Sequence, residues 1–191
     1  VFSPQNGSME FNNSSVTLTT DDAYNYVFVA SSSDGKFVFN NTNVNVSGFR
    51  KAFLNSVLDI NGGEILITNA KNGIDNVKGE ISGTKVTIDG SSEYGLGGEK
   101  DEYKLVLKDG TVLEIKNSAV CDIFLSNGAN VNIYDSESKL IYTSSNIDET
   151  SKINEPRAFI LKVGGQLAET ENKAVAVKAG DIVEVQLYIE S

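Results

Sequence analysis

Residues 103–115 read Tyr-Lys-Leu-Val-Leu-Lys-Asp-Gly-Thr-Val-Leu-Glu-Ile, and this stretch carries the strongest local fold signal in the chain. Asp109-Gly110 can adopt the positive φ values of a type I′ turn, whose twist matches that of two antiparallel strands. The register of such a hairpin pairs Leu107 with Val112, and the next pair along is also apolar. Because both faces carry apolar side chains, the sequence predicts a central hairpin that is covered on both sides.

The remainder of the chain is also rich in strand signals. Short runs of β-branched and aromatic residues recur between Gly, Asn, Asp and Ser, which is typical of strands joined by turns. The predicted strands are residues 16–20, 24–30, 36–39, 44–46, 64–68, 85–89, 103–108, 111–116, 122–125, 130–134, 139–143, 158–163, 174–178 and 182–190. One short helix is predicted over residues 48–58, with Ser47 as its cap and Phe49 and Phe53 on its apolar stripe.

The class is therefore all-β, and two architectures are compatible with it. An antiparallel β-sandwich (immunoglobulin-like or jelly-roll-like) with one short helix is favoured by the hairpin and by the close spacing of turn signals. The alternative is a right-handed parallel β-helix, because residues 37–39, 64–68 and 85–89 recur at intervals near the length of one solenoid turn. The sandwich is preferred because those intervals show no residue-level repeat. Residues 1–15 are predicted as an extended N-terminal arm and residues 16–191 as a single β-rich domain.

Two stretches also support the sandwich by resemblance. Residues 131–144 are similar to hairpins in immunoglobulin-like surface domains, and residues 174–189 look like the closing strand pair of many β-sandwich modules. Neither stretch implies a functional residue.

The composition excludes several kinds of chemistry. The 191 residues include no His and one Cys, so this chain cannot build a Ser-His-Asp or Cys-His nucleophile or a His-based zinc or haem site. The single thiol, Cys121, lies in an apolar run and is predicted to be buried. The formal charge of −10 argues against nucleic acid as a partner, and no apolar run is long enough for a membrane span. We therefore predict a protein without enzymatic activity.

The acidic stretch 89–102 is the candidate metal site. Calcium prefers several flexible oxygen ligands, and this stretch offers five carboxylates among four glycines. The candidate ligands are Asp89, Glu93, Glu99, Asp101 and Glu102. The spacing matches no EF-hand, so a solvated acidic loop is the alternative, and no other cofactor is indicated. Tyr94, in the same stretch, is a candidate for stacking on a sugar ring.

Glycosylation motifs indicate an extracellular or cell-surface location. Five Asn-x-Ser/Thr sequons lie in the first quarter of the chain, at Asn6, Asn12, Asn13, Asn40 and Asn45. An Asn-rich chain contains some sequons by chance, and the abundance of turn residues in a β-rich composition indicates the same location.

The functional hypotheses follow from these exclusions. The first is a non-enzymatic structural subunit of an extracellular assembly, such as a pilus, a matrix filament or a surface adhesin, which joins copies of itself by strand addition. The assembly arm consists of Phe2, Met9, Phe11, Val16 and Leu18, apolar side chains that something must cover. One alternative is a carbohydrate-binding module or polysaccharide-acting β-domain that recognises a cell-surface glycan. A virion surface protein is another.

Overall fold

The chain coils into a β-solenoid, in which the strands of successive turns pair in parallel. The structure, a computed structural model, describes residues 2–4, 7–21, 24–30, 35–108, 110–134, 142–143, 152–154, 159–163, 166–167, 180 and 182–187. Every regular secondary-structure element in these residues is a β-strand. The prediction of an all-β protein is therefore confirmed.

Three faces, which we call the first, second and third face, are built by successive turns. The first face contains β1 (Ser8–Asn12), the first half of β4 (Lys36–Ser47), the first half of β6 (Val57–Thr68), β8 (Lys78–Ser82), β11 (Lys104–Lys108), β14 (Asn130–Tyr134) and β16 (Lys152–Asn154). The second face contains β2 (Ser15–Thr19), the second halves of β4 and β6, β9 (Lys85–Asp89), β12 (Val112–Lys116) and β15 (Tyr142–Thr143). The third face contains β3 (Tyr26–Val29), β5 (Lys51–Leu54), β7 (Asn72–Asp75), β10 (Tyr94–Gly98) and β13 (Cys121–Leu125). Among the described strands, antiparallel pairing is confined to β17 (Phe159–Val163), β18 (Gln166–Leu167) and β19 (Val183–Leu187).

Turns in the middle of the solenoid follow one another at an interval of 21 residues. At this separation the Asn61 side chain donates a hydrogen bond to Asn40 (3.2 Å) and accepts one from Ser82 (2.9 Å). The backbone register of β4, β6 and β8 keeps the same interval. The prediction of an antiparallel β-sandwich is therefore wrong, and the parallel β-helix alternative fits the structure.

The Asp-Gly hairpin predicted from residues 103–115 does not form. Strand β11 pairs in parallel with β8 and β14, whereas β12 pairs in parallel with β9 and β15. Leu107 and Leu113 are both buried in the same core, so the chain must turn a corner between two faces instead of reversing. Gly110, at φ 79°, sits at this corner, and the buried Thr111 hydroxyl donates to the Ile81 carbonyl at 2.8 Å. The positive φ expected at Gly110 is present, Asp109 lies outside the described residues, and the predicted pairing of the flanking strands is wrong.

The helix predicted over residues 48–58 is also wrong. The segment contains strand β5, a corner at Asn55 and Ser56, and the start of β6. Asn55 has a φ of 50°, which a continuous helix does not contain. Phe53 and Leu58 both point into the core from the two sides of this corner. A corner thus breaks the alternation of a strand and produces an apolar spacing that imitates a helical stripe.

Asparagine and glycine share the corner positions. Every described non-glycine residue with a positive φ is an Asn, in agreement with the tolerance of Asn for the left-handed region. One such position is occupied on successive turns by Gly48, Asn69, Gly90 and Asn117. The backbone N–H of Gly48 donates to Thr68, that of Asn69 to Asp89, and that of Gly90 to Lys116. This alternation of Asn and Gly is the residue-level repeat that the sequence analysis missed.

The core changes from aromatic to aliphatic along the solenoid axis. Phe28 is fully buried and lies at the centre of a cluster of rings, with Phe53 stacked on it at a centroid distance of 4.9 Å. The same inward position of the third face is filled by Phe28, Phe53, Ile74, Leu96 and Ile123 on successive turns. The later turns therefore fill with Ile and Leu the space that rings fill in the earlier ones.

Residues of the predicted N-terminal arm belong to the first turn of this chain. Strand β1 pairs in parallel with the first half of β4, and Phe2 forms a bridge with Phe28. Phe2, Met9 and Phe11 are partly buried and contact the core, as do Val16 and Leu18 of the next strand. All five assembly residues thus lie at the end of the solenoid that precedes β4.

Candidate functional site on the third face

Two rows of side chains lie on the outer surface of the third face. The first row contains Tyr26, Lys51, Asn72, Tyr94 and Cys121, which are register partners on successive turns. The second row contains Val29, Leu54, Asp75, Gly97 and Phe124. Neighbouring strands of a sheet lie about 4.8 Å apart, so each row repeats its positions at that spacing along the axis.

Asp75 is a buried carboxylate at the centre of this surface. Its side chain is 1% exposed, and one oxygen forms an ion pair with the Lys51 ammonium group. The other oxygen accepts a hydrogen bond of 3.2 Å from the Tyr94 hydroxyl. Both oxygens therefore have a donor, which compensates the loss of water around a buried charge.

The ring of Tyr94 reaches Asp75 because residue 97 is glycine. A Cβ atom at Gly97 would overlap the Tyr94 ring, so the ring lies directly over this backbone position. Burial raises the pKa of the Tyr94 phenol, and the Asp75 charge raises it further. The hydroxyl therefore stays protonated and remains a donor at neutral pH.

A second carboxylate, Glu93, lies beside the first. It forms an ion pair with Lys71 at 2.9 Å and accepts a hydrogen bond of 3.1 Å from the Asn72 amide. The hydrogen bond from Lys71 is the main reason that the pKa of Glu93 is lowered, and desolvation opposes it. The other side-chain atom of Asn72, Oδ1, is buried and makes no hydrogen bond with the described residues.

Lys51, Lys71, Asn72, Asp75 and Glu93 form what we call the polar cluster. Aromatic rings flank this cluster on both sides. Phe124 stacks on Tyr94 with a centroid distance of 5.7 Å and an interplanar angle of 26°. On the other side, the Arg50 guanidinium lies over the Tyr26 ring, 5.5 Å from its centroid. Tyr26 and Tyr94 are three turns apart, a separation of roughly 14 Å at the usual strand spacing. Tyr24 and Val120, which precede β3 and β13, are the most exposed apolar side chains near this face, at 81% and 65%.

The predicted calcium ligands are not brought together. Asp89 ends a strand of the second face and accepts a hydrogen bond from Asn117, whereas Glu93 belongs to the cluster on the third face. Glu99, Asp101 and Glu102 lie in the connection between β10 and β11, where Asp101 pairs with Lys104 and Glu102 with Lys100. Among the described residues no group of three acidic, Cys or His side chains could hold a metal ion. A calcium site therefore stays a prediction without a geometry to support it.

The sequons that the structure describes lie on the outside of the first and second faces. Asn12 and Asn40 belong to the first face, where Asn40 donates to Asn12 at 2.7 Å. Asn13 is an exposed corner residue, and Asn45 is exposed on the second face. Asn6 is outside the described residues. Glycosylation and an extracellular location remain predictions.

Of the residues on this surface, the sequence indicates only Tyr94 and Glu93 as candidates for a functional role. Tyr94 was proposed to stack on sugar, and Glu93 was named only as a calcium ligand. Lys51 fell in the predicted helix, and Asn72 and Asp75 fell in no predicted strand. The 21-residue spacing that places Lys51 beside Asn72 was the signal that could have connected them.

The fold and the site define a parallel β-solenoid with an aromatic and charged outer surface on one face. No family model, curated protein or solved structure matches the chain. In the described residues no helix is long and apolar enough to cross a membrane.

Proposed function

We propose that the third face binds an extended polysaccharide. The observation that carries this proposal is the Tyr94 ring, which lies over Gly97 and stacks on Phe124 at the outer surface of a strand array. Aromatic side chains offer a large apolar surface with a polar tip, which suits the apolar faces and hydroxyl groups of sugar rings. The adjacent Lys71 and Glu93 side chains, which are 37% and 40% exposed, supply a donor and acceptors for those hydroxyls.

The periodicity of the surface favours a polymer as the ligand. Outer positions repeat on every turn, so a chain that runs along the solenoid axis meets Tyr26, the polar cluster and Tyr94 in succession. Each turn adds contacts without a new recognition element, because the parallel register keeps the rows aligned. A short ligand would use only a part of this surface.

We propose binding without hydrolysis. A glycosidase needs a carboxyl group whose pKa is raised so that it can act as a general acid. The pKa of Glu93 is shifted in the opposite direction, and both oxygens of Asp75 are occupied by Lys51 and Tyr94. The absence of released reducing sugar in a binding assay would agree with this, and release that depends on either carboxylate would contradict it.

Affinity electrophoresis with a panel of soluble glucans, xylans, mannans and uronans tests the proposal. We expect at least one polymer to retard the protein, and Tyr94→Ala to weaken that binding about tenfold, equivalent to about 1.4 kcal/mol. The matched control is Val112→Ala, which removes an exposed apolar side chain (47% exposed) from the second face. Circular dichroism verifies that both variants fold. The proposal fails if no polymer retards the wild type, or if the two variants lose affinity equally.

The hypothesis of a structural subunit stays a second proposal, supported by one observation. In the described residues, β1 and β2 each pair with β4 on one side only. Such an edge can accept a strand from a second copy. Sedimentation velocity over a range of concentrations would detect the expected association, and a monomer at every concentration would contradict it.

A further inference from the structure

We infer that the polysaccharide bound by the third face carries carboxylate groups, as a uronan does, and that Arg50 is the residue that recognises them. This inference rests on the proposed polysaccharide-binding function and specifies the class of ligand. It starts from the distribution of charge over the cluster.

Two of the three cations on this side of the third face already have a carboxylate partner. Lys51 is paired with Asp75 and Lys71 with Glu93, whereas Arg50 forms no ion pair with any other described residue. Within the described residues, Arg50 is therefore the cation of this surface that is available to pair with an anion.

Arg50 is held in a defined orientation. Its guanidinium lies over the Tyr26 ring, an arrangement that favours cation–π attraction. A planar guanidinium fixed in this way can present two parallel N–H donors to a carboxylate. Less side-chain entropy is lost on binding when the fork is already oriented.

Lys71 lies beside Arg50 on the next turn. The Asn72 N–H donates to the Arg50 carbonyl at 2.9 Å, and Lys51 is the register partner of Asn72, so residues 50 and 71 occupy equivalent positions. A ligand carboxylate at Arg50 is thus within the field of a second cation. Glu93 opposes this attraction, because it neutralises Lys71 and is itself negative.

A pair of polymers with the same backbone isolates the contribution of charge. Polygalacturonate and its fully methyl-esterified form differ in the carboxylate, so their affinities for wild type measure its recognition. We expect wild type to bind the acid form about fivefold more tightly, with an advantage that falls as salt is added. Arg50→Ala should remove this preference, and Arg50→Lys should restore only part of it because Lys lacks the fork.

Two further variants distinguish this inference from the general binding function. Glu93→Gln should increase affinity for the acid form and leave affinity for the ester nearly unchanged. Tyr94→Ala should weaken both forms, since stacking does not depend on the carboxylate. If wild type binds acid and ester equally, the carboxylate inference is wrong and polysaccharide binding stands. If neither these polymers nor the wider panel binds, the proposed function itself is wrong. Retention on dextran sulfate but not on polygalacturonate would overturn the assignment of a carboxylate.

Discussion

The first two turns of the solenoid and the turns that follow them fill the same cross-section in two different ways. In the first two turns, rings fill inward positions of the first and third faces, and Phe28 packs against the rings of Phe2, Phe11, Phe37, Phe39 and Phe53. In the later turns, Ile and Leu occupy those positions. The parallel register continues across the change, so the backbone coil does not depend on one kind of core side chain.

The difference in core side chains between the two regions is compensated at the neighbouring inward position of the third face. By register this position holds Val27, Ala52, Gly73 and Gly95 on successive turns. A Cβ atom at Gly95 would overlap Cγ2 of Ile115, and one at Gly73 would come within 2.7 Å of Cγ2 of Ile88. Isoleucines of the second face thus occupy the volume that the glycines leave free. Close interior filling is reached by rings together with small aliphatic residues in one region and by isoleucine with glycine in the other.

The largest expected effect is the loss of the central ring. Phe28→Ala should lower the free energy of unfolding by about 3–5 kcal/mol, because it removes a fully buried side chain and leaves a cavity that surrounding rings cannot close. Chemical denaturation measures this loss. The equivalent residue of the aliphatic region gives the control, Ile74→Val, for which we expect about 1 kcal/mol. Equal losses for the two variants would show that the aromatic turns have no special role.

A smaller loss of stability is expected where the interior of the aliphatic region has no space for an added methyl group. Gly95→Ala should destabilise the protein by about 1–3 kcal/mol, since the added methyl group meets a β-branched side chain that cannot move away. Combining it with Ile115→Ala should cost less than the sum of the two single changes, because both act on one volume. Additive losses, measured by the same denaturation, would show that the methyl group added at residue 95 and the Ile115 side chain do not compete for one volume.

The smallest effect should come from the corners, which are common to both regions. Asn69→Ala should cost about 1–2 kcal/mol, because alanine is unfavourable at a φ of 52°. Asn69→Gly should be nearly neutral, as Gly48 and Gly90 fill this position on the adjacent turns. Thermal unfolding of the three proteins compares them directly. Similar destabilisation by Asn69→Ala and Asn69→Gly would show instead that the Asn69 side chain, and not the positive φ, stabilises this corner.

The sequence predicted strands well where a strand is visible by itself. Residues 85–89 and 130–134 were predicted with the bounds that the structure has, because β-branched runs between turn residues are local signals. Strands β7 and β10 were missed, since Asn72, Gly73 and Gly95 have low strand propensity. These segments are extended because they pair with strands of the preceding and following turns. The residues of those strands lie 21 or more positions away in the sequence.

The sequence favoured the wrong architecture at Gly110, where a hairpin and a solenoid corner share the same local backbone conformation. Gly110 has the positive φ that a type I′ hairpin requires, and a solenoid corner requires it as well. Only the partners of the flanking strands separate the two, and those are 26 to 29 residues distant along the chain. The candidate site was hidden for the same reason. Lys51 and Asp75 form their ion pair across 24 residues, and no local pattern connects them.

The connection between β10 and β11 has a practical consequence. From β7 to β8 the chain needs only residues 76 and 77 to pass from the third face to the first, whereas from β10 to β11 it uses residues 99–103. Strands on both sides nevertheless stack in register, as β11 on β8 and β10 on β7 show. Added loop length costs little free energy, about 0.6 kcal/mol for each doubling. An epitope tag or a fluorophore-bearing peptide placed between Asp101 and Glu102 would therefore report on the intact molecule without interrupting any strand of the third face.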